Sequence, residues 1–226
     1  MVFTVCGRYS LIGIDDLGNR FRVIDPTLGF RSHFNIAPGS TNPVIIRHER
    51  TEAVMMEWGL VLYWVKDRKE AKHLINARAE TLAEKPSFRG LLKGKRCLVP
   101  ASGFYEWKKD GARKTPFYIR LRESPVFAFA GLYDVWHDPQ GEGYGTYTII
   151  TTEPNDLMTP IHNRMPVILK REGENRWLSG NALTGDEMRE ILAPYPPGEM
   201  ESYLVSERVN NPKVNDGQLI QPLKGL

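Results

Sequence analysis

Two cysteines in 226 residues are too few for a disulfide framework, so a reducing cytosol is the expected setting. No basic region followed by a long apolar stretch opens the chain, and a signal peptide is not expected. No apolar run approaches the roughly 20 residues of a membrane span. The longest, Phe127 to Trp136, is interrupted by Asp134. The expectation is a soluble cytoplasmic protein. Walker A, His-Glu-x-x-His, Cys-x-x-Cys and Gly-x-Ser-x-Gly patterns are all missing, which removes the common nucleotide, zinc-protease and α/β-hydrolase sites. His33, His48, His73 and His137 are scattered and neither cysteine has a partner at metal-ligand spacing, so neither metal nor cofactor is expected.

What remains is an ordinary globular composition, 41% hydrophobic and 25% charged, in a chain long enough for one sizeable core. A net charge of +3 permits a nucleic-acid partner without requiring one, because clustering decides. β-Branched and aromatic runs predict strands at 44–47, 54–58, 97–99, 103–107, 115–121, 126–132, 144–151 and 200–205. Short helices are predicted behind Asp15-Asp16, from a Ser87 cap to Leu92, after Pro154-Asn155-Asp156, and over 171–178 and 184–192. The glycines of 141–145 read as a turn. The class is α+β: a single domain over 1–226 with a mainly antiparallel, barrel-like or sandwich sheet and peripheral short helices.

Four polar constellations stand out. Cys6 lies in Cys6-Gly7-Arg8-Tyr9, where the Arg8 charge would favour thiolate; it reads either as reactive or as a core cysteine of an N-terminal strand. Cys97 reads as a buried strand residue. In Phe104-Tyr105-Glu106-Trp107, strand alternation puts Glu106 on one face with Phe104, where desolvation would raise its pKa toward a range useful for proton transfer. A salt bridge to an arginine is the equal alternative for Glu106. His162, between Pro160 and Pro166, is placed either to exchange protons near neutrality or simply to face solvent. Asn76 and Arg78 project to one side of an extended segment and suit an oxygen-rich ligand such as a sugar-phosphate, or Asn76 caps a following helix. Arg89, Lys93, Lys95, Arg96, Lys108 and Lys109, interleaved with Trp64, Phe88, Phe104 and Trp107, have the mixture that a nucleic-acid surface needs.

The motifs in order are Cys-Gly-Arg-Tyr at 6–9, Asn-Ile-Ala-Pro-Gly at 35–39, Trp-Gly at 58–59, Ile-Asn-Ala-Arg-Ala-Glu-Thr at 75–81, Arg-Cys-Leu-Val-Pro-Ala-Ser-Gly-Phe-Tyr-Glu-Trp-Lys at 96–108, Phe-Ala-Gly-Leu-Tyr at 129–133, Thr-Ile-Ile-Thr-Thr at 148–152, Ile-His-Asn-Arg-Met-Pro at 161–166 and Val-Ser at 205–206. On these the chain resembles the SOS response-associated peptidase family. The resemblance implies a sensor of abasic sites in single-stranded DNA that crosslinks its N-terminal cysteine to the ring-opened sugar and shields it. It implies that Cys6 reacts, Asn76 orients, and Glu106 and His162 move protons, while Arg8, Asn35, Arg78, Trp107 and Arg164 contact DNA. A monomer, gathered on the nucleoid during DNA damage, is the expected form.

In the family the cysteine directly follows the initiator methionine, whereas five residues precede Cys6. Three explanations compete. Val5 is the true start, read from a GUG codon; or the protein removes Met1 to Val5 itself, the activity behind the peptidase name; or the extension stays and crosslinking is lost. Two other functions stay open: a cysteine peptidase acting on other proteins through Cys6, His162 and Glu106, and a non-catalytic single-strand binding module.

Overall fold

The structure, a computed structural model, describes residues 6–13, 17–23 and 31–223. Met1 to Val5 and the expected Asp15-Asp16 helix start lie outside the described residues. In chain order the elements are β1 (Arg8–Leu11), α1 (Leu17–Phe21), β2 (His33–Ile36), β3 (Thr41–Arg47), β4 (Thr51–Trp58), β5 (Asn76–Arg78), α2 (Pro86–Arg89), β6 (Arg96–Ala101), β7 (Gly103–Asp110), β8 (Arg113–Leu121), β9 (Phe127–His137), β10 (Gly143–Thr152), β11 (Met165–Pro166), α3 (Arg171–Leu178), α4 (Gly185–Ile191) and β12 (Met200–Leu204).

One sheet closes into a five-stranded barrel in the order β10-β4-β3-β6-β9, with β9 returning to β10. Within it β4 runs parallel to β10 and every other neighbour is antiparallel. β5 and β11 both pair with the C-terminal half of β10. The second sheet, β12-β8-β7-β1-β2, is antiparallel throughout. Together they make the α+β, barrel-like architecture that the alternation of the strands implies.

Aromatic side chains join the sheets. Tyr9 of β1 meets Trp58 and Phe129 of the barrel edge-on, at centroid distances of 5.2 and 5.9 Å. Its hydroxyl shares a 2.7 Å hydrogen bond with that of Tyr147, which also accepts from the Asn42 amide. The N-terminal strand is thereby stitched to β10 through a polar contact that no water needs to satisfy. Cys97 is fully buried, as its strand predicts, and Gly131 opposite it leaves the thiol its space, since a Cβ there would lie 2.8 Å from Cys97 Sγ. Trp177 of α3 seals this region, donating its indole N–H to the carbonyls of Cys97 and Gly131.

The short helices follow local rules. α4 starts on a Thr184–Glu187 capping box, and α3 carries Glu172 and Glu174 in its first turn. Three expectations are corrected. Ser87 lies inside α2, whose first residue is Pro86 and whose cap position is Lys85. The stretch after Pro154 forms turns, because the Asn155 backbone carbonyl takes the N–H groups of Met158 and Thr159 and Pro160 has no N–H with which to continue. The glycine-rich run turns only up to Glu142: Gly143 and Gly145 already belong to β10, and Gly145 makes room for Met56.

Gly103, at the start of β7, faces the Tyr118 ring, which is hydrogen-bonded to Ser10 at 2.7 Å. A Cβ at residue 103 would sit 2.3 Å from that ring. Gly103→Ala is therefore expected to lower stability by about 1–3 kcal/mol, the usual range for overpacking, read as a fall in denaturant midpoint at constant m.

Candidate active site

β1 lies between β2 and β7, with Arg8 opposite Tyr105 and Tyr9 opposite Phe104. This register carries the chain just ahead of β1 to Glu106. The Cys6 backbone nitrogen donates to Glu106 Oε1 at 2.5 Å, in a site where Cys6 is fully buried and Glu106 is 2% exposed. Alternation works as the sequence predicts: Phe104 joins the main core, while Tyr105 and Trp107 pack on the other face with Tyr118, Val205, Val209 and Leu219. Burial pushes the Glu106 carboxyl up to about 8, against the pull of the Cys6 and Trp107 amides. No arginine reaches it, so the salt-bridge alternative for Glu106 falls away among the described residues.

The thiol behaves differently from expectation. Burial, and then the Glu106 charge, hold the Cys6 thiol well above its ordinary value. Arg8 does not activate it, because the guanidinium turns to Asn35 Oδ1 at 2.8 Å and the Val209 carbonyl at 2.9 Å. Cys6 also adopts a left-handed backbone, with φ of 44°. A non-glycine residue pays roughly 1–2 kcal/mol for that conformation.

Asn76 and His162 come from the barrel side. Asn76 heads β5 opposite Ile149, and Arg78 lies opposite Thr151. His162 is half-buried at the end of the turns that begin at Asn155. Arg164 frames its ring: the Arg164 N–H donates to Nδ1 at 3.2 Å, and the Arg164 carbonyl lies 3.3 Å from the same atom. A neutral ring can accept from the first and a protonated ring can donate to the second, so the site accommodates both states. Burial lowers the His162 pKa first, the Arg164 backbone raises it, and the charge of Lys109 lowers it again. That last influence ties the end of β7 to the His162 turn.

The five residues expected to contact DNA divide. Arg78 is exposed. Trp107 is half-exposed and donates its indole N–H to Asn210 at 2.8 Å. Asn35 is only 1% exposed and spends its amide on the carbonyls of Val209, Asn211 and Val214. It reaches the surface only through Arg8, which it helps to hold. The Arg164 side chain, 13% exposed, is bound to Glu80 and to Thr151. The expected basic and aromatic surface also shrinks. Phe88 and Phe104 belong to the core, Arg96 is 4% exposed and lies over the Trp177 ring, and Lys95 pairs with the fully buried Asp134. Tyr63 and Trp64 are instead the prominent exposed aromatics, 63% and 50% exposed and in edge-to-face contact at 4.9 Å. Asp134 holds their base by accepting from the Tyr63 N–H. Asn210, and Lys109 as the charge beside His162, are features that the sequence did not single out, whereas the exposed Tyr63–Trp64 pair is in keeping with the loop aromatics expected at 63–64.

Over residues 5–212 the sequence matches the family described as SOS response associated peptidase (SRAP). The chain belongs to the SRAP family. It is 45% identical over 222 residues to the abasic site processing protein YoqW of Bacillus subtilis, covering 96% of this chain and 99% of that protein. It is 43% identical over 221 residues to YoaM, an abasic site processing protein of the same organism, covering 96% and 97%. A crystal structure of a protein from Bacteroides thetaiotaomicron superposes with a TM-score of 0.87 at 31% identity, over 96% of this chain and 99% of that one.

The SRAP barrel thus brings one nitrogen, one thiol and one carboxyl into a buried cluster. Among the described residues no group of three or more His, Cys, Asp or Glu is placed to hold a metal ion, and no helix is long and apolar enough to cross a membrane. The chemistry available is proton transfer and nucleophilic addition by Cys6.

Glu106 supplies a titration signature. A carboxyl at about 8 in the fold and near 4.5 when unfolded binds more protons in the native state. Its contribution to stability is full below pH 4.5 and is lost as pH rises toward 8. In protein that retains the residues ahead of Cys6, Glu106→Gln is expected to flatten this decline and to exceed wild type at pH 8 by on the order of 2–4 kcal/mol. Denaturant melts between pH 5 and 8.5 read it; parallel wild-type and variant curves would contradict the assignment.

Proposed function

We propose that this SRAP protein recognises abasic sites in single-stranded DNA and joins itself to them through the α-nitrogen and sulfur of Cys6, once Cys6 stands first in the chain. The observation that carries this reading is the Cys6 nitrogen held 2.5 Å from Glu106. A peptidase built around a thiol would aim its carboxylate or histidine at sulfur; here the acid/base group addresses nitrogen. The names of the Bacillus relatives point to the same substrate.

An abasic sugar in its open form is an aldehyde. The free α-amine of Cys6, with a reference pKa near 8, adds to it to give a carbinolamine, and loss of one water leaves an imine. The thiol then adds across the imine carbon, closing a five-membered thiazolidine with the help of the high effective concentration of a group on the same residue. Glu106, protonated at neutral pH, gives its proton to the departing hydroxyl and is recharged by the proton that the nitrogen sheds. His162 assists sugar ring opening and reversal, and Asn76 orients the sugar. Closing the ring removes the imine that would otherwise promote strand cleavage by elimination. Arg8, Arg78, Trp107 and Arg164 guide the strand, with Asn35 setting Arg8.

The amine must first be free, and self-processing fits the same groups. The Cys6 thiol attacks the Val5 carbonyl, the peptide bond to the Cys6 nitrogen breaks, and Glu106 protonates that nitrogen as it leaves. Water then hydrolyses the thioester, giving a Val5 carboxylate and a free Cys6 thiol. A carboxyl at about 8 is protonated at neutral pH, as a general acid must be. Release also removes the left-handed φ constraint on Cys6. Initiation at Val5 would reach the same first residue, and the family match begins at residue 5.

The test mixes Cys6-first protein with single-stranded DNA carrying one abasic site. A band that survives denaturing electrophoresis is expected, absent with Cys6→Ala and absent on undamaged DNA. Binding without that band would leave only a binding module, and cleavage of unrelated proteins would favour the peptidase reading.

A further inference from the structure

We infer that Asn210 is a positioning residue for Trp107: its side-chain oxygen sets the plane of the indole ring where β7 leaves the core. Trp107 Nε1 donates to Asn210 Oδ1 at 2.8 Å. An indole N–H is a donor only, so the contact also settles which way the Asn210 amide points. Glu106 and Trp107 are neighbours on β7 and face opposite ways, the first into the Cys6 cluster and the second toward the turn at 207–210. Burial along β7 ends at this pair, and Lys108, Lys109 and Asp110 beyond it are exposed. Trp107 is thus the side chain at which the strand passes from core to surface.

One hydrogen bond orients a ring only if its acceptor is itself held, and the turn carrying Asn210 is. Val209 beside it is fully buried, in the small core with Tyr105 and Tyr118. The Asn35 amide takes the carbonyls of Val209 and Asn211, on either side of Asn210, at 3.3 and 3.0 Å. The Ser206 hydroxyl caps the turn by accepting from the Arg208 N–H at 3.3 Å, and Arg208 is paired with Asp216 at 2.6 Å. The Asn210 carbonyl also faces Arg8, whose Nη2 lies 3.4 Å away. One turn therefore holds Arg8 through its backbone and Trp107 through a side chain. The Asn210 side chain is exposed and outside the core, so its substitution removes the restraint on the ring and leaves the fold and the Arg8 contacts in place.

That Trp107 meets DNA rests on the function proposed above, whereas its tether to Asn210 does not, and the experiment separates the two. The ring is read first, in DNA-free protein, through the indole N–H signals of the five tryptophans in nitrogen-15 NMR. Trp107→Phe identifies the Trp107 signal by removing it. Asn210→Ala is expected to move that signal upfield and to speed its exchange with water, leaving the other tryptophans unmoved. Asn210→Asp, which keeps an acceptor oxygen at the same reach, should hold it near the wild-type position. Crosslinking to single-stranded DNA carrying one abasic site is then followed across DNA concentrations. For Asn210→Ala the half-saturating concentration is expected to rise about two- to tenfold, the effect of freeing one side chain, with the saturated rate within about twofold of wild type. In a Trp107→Phe background Asn210→Ala should add no further loss, because the N–H it acts through is gone. An unmoved Trp107 signal in Asn210→Ala, or one that Asn210→Asp fails to hold, would overturn the proposal. So would a full additive loss in the Trp107→Phe background, the mark of an Asn210 that touches DNA itself, or a lowered saturated rate at unchanged half-saturation. If wild type neither binds nor crosslinks this DNA, the proposed function falls, and the Trp107 signal still decides the tether.

Discussion

The contact between the Cys6 nitrogen and the Glu106 carboxyl organises the site, and burial is what gives it chemical meaning. In water, an amide and a carboxyl at this distance would exchange little. With Glu106 2% exposed and Cys6 fully buried, the carboxyl is held protonated at neutral pH directly beside the Cys6 nitrogen. The register of β1 against β7 makes the contact, and the Tyr9–Tyr147 hydrogen bond fixes β1 to the barrel behind it. The fold spends a whole strand pairing on placing one nitrogen.

The remaining polar groups fall into two sets by the sheet that carries them. His162 and Asn76 come from the barrel side, linked to each other through β10 and the Glu80–Arg164 bridge. Arg8 and Trp107 come from the second sheet, held by the segment from Val209 to Asn210 and by Asn35. The chain's C-terminal part thereby contributes to the site without supplying a reacting group. The two sets differ in exposure: Cys6 and Glu106 are buried, whereas Arg78 is exposed and Trp107 half-exposed.

Much of this was legible in the sequence, for reasons that are local. Alternation through Phe104-Tyr105-Glu106-Trp107 is enough to bury the carboxylate, and strand composition is enough to bury Cys97. What was illegible depends on partners far along the chain. Arg8 looks like a thiol activator from its spacing to Cys6, yet its direction is set by Val209, 201 residues away. Asn35 looks available until the carbonyls of Val209, Asn211 and Val214 claim its amide. Arg164 finds Glu80 across 84 residues. Phe88, Phe104 and Arg96 join a surface on paper because composition counts residues without their facing. The helix expected after Pro154 fails through Pro160, a signal present in the sequence but outweighed there by the capping pattern.

The account stands on the nitrogen of Cys6 rather than on its sulfur alone. The most direct measurement compares protein beginning at Cys6 with protein retaining one residue ahead of it, both carrying the same thiol, carboxylate and histidine. Intact-mass analysis after incubation with abasic single-stranded DNA counts the covalent adduct in each. The account predicts stoichiometric adduct, formed with loss of one water, for the Cys6-first protein and none for the extended one, while both bind undamaged strand alike. Equal adduct from the two forms would contradict it, because a thiol acting alone would then suffice.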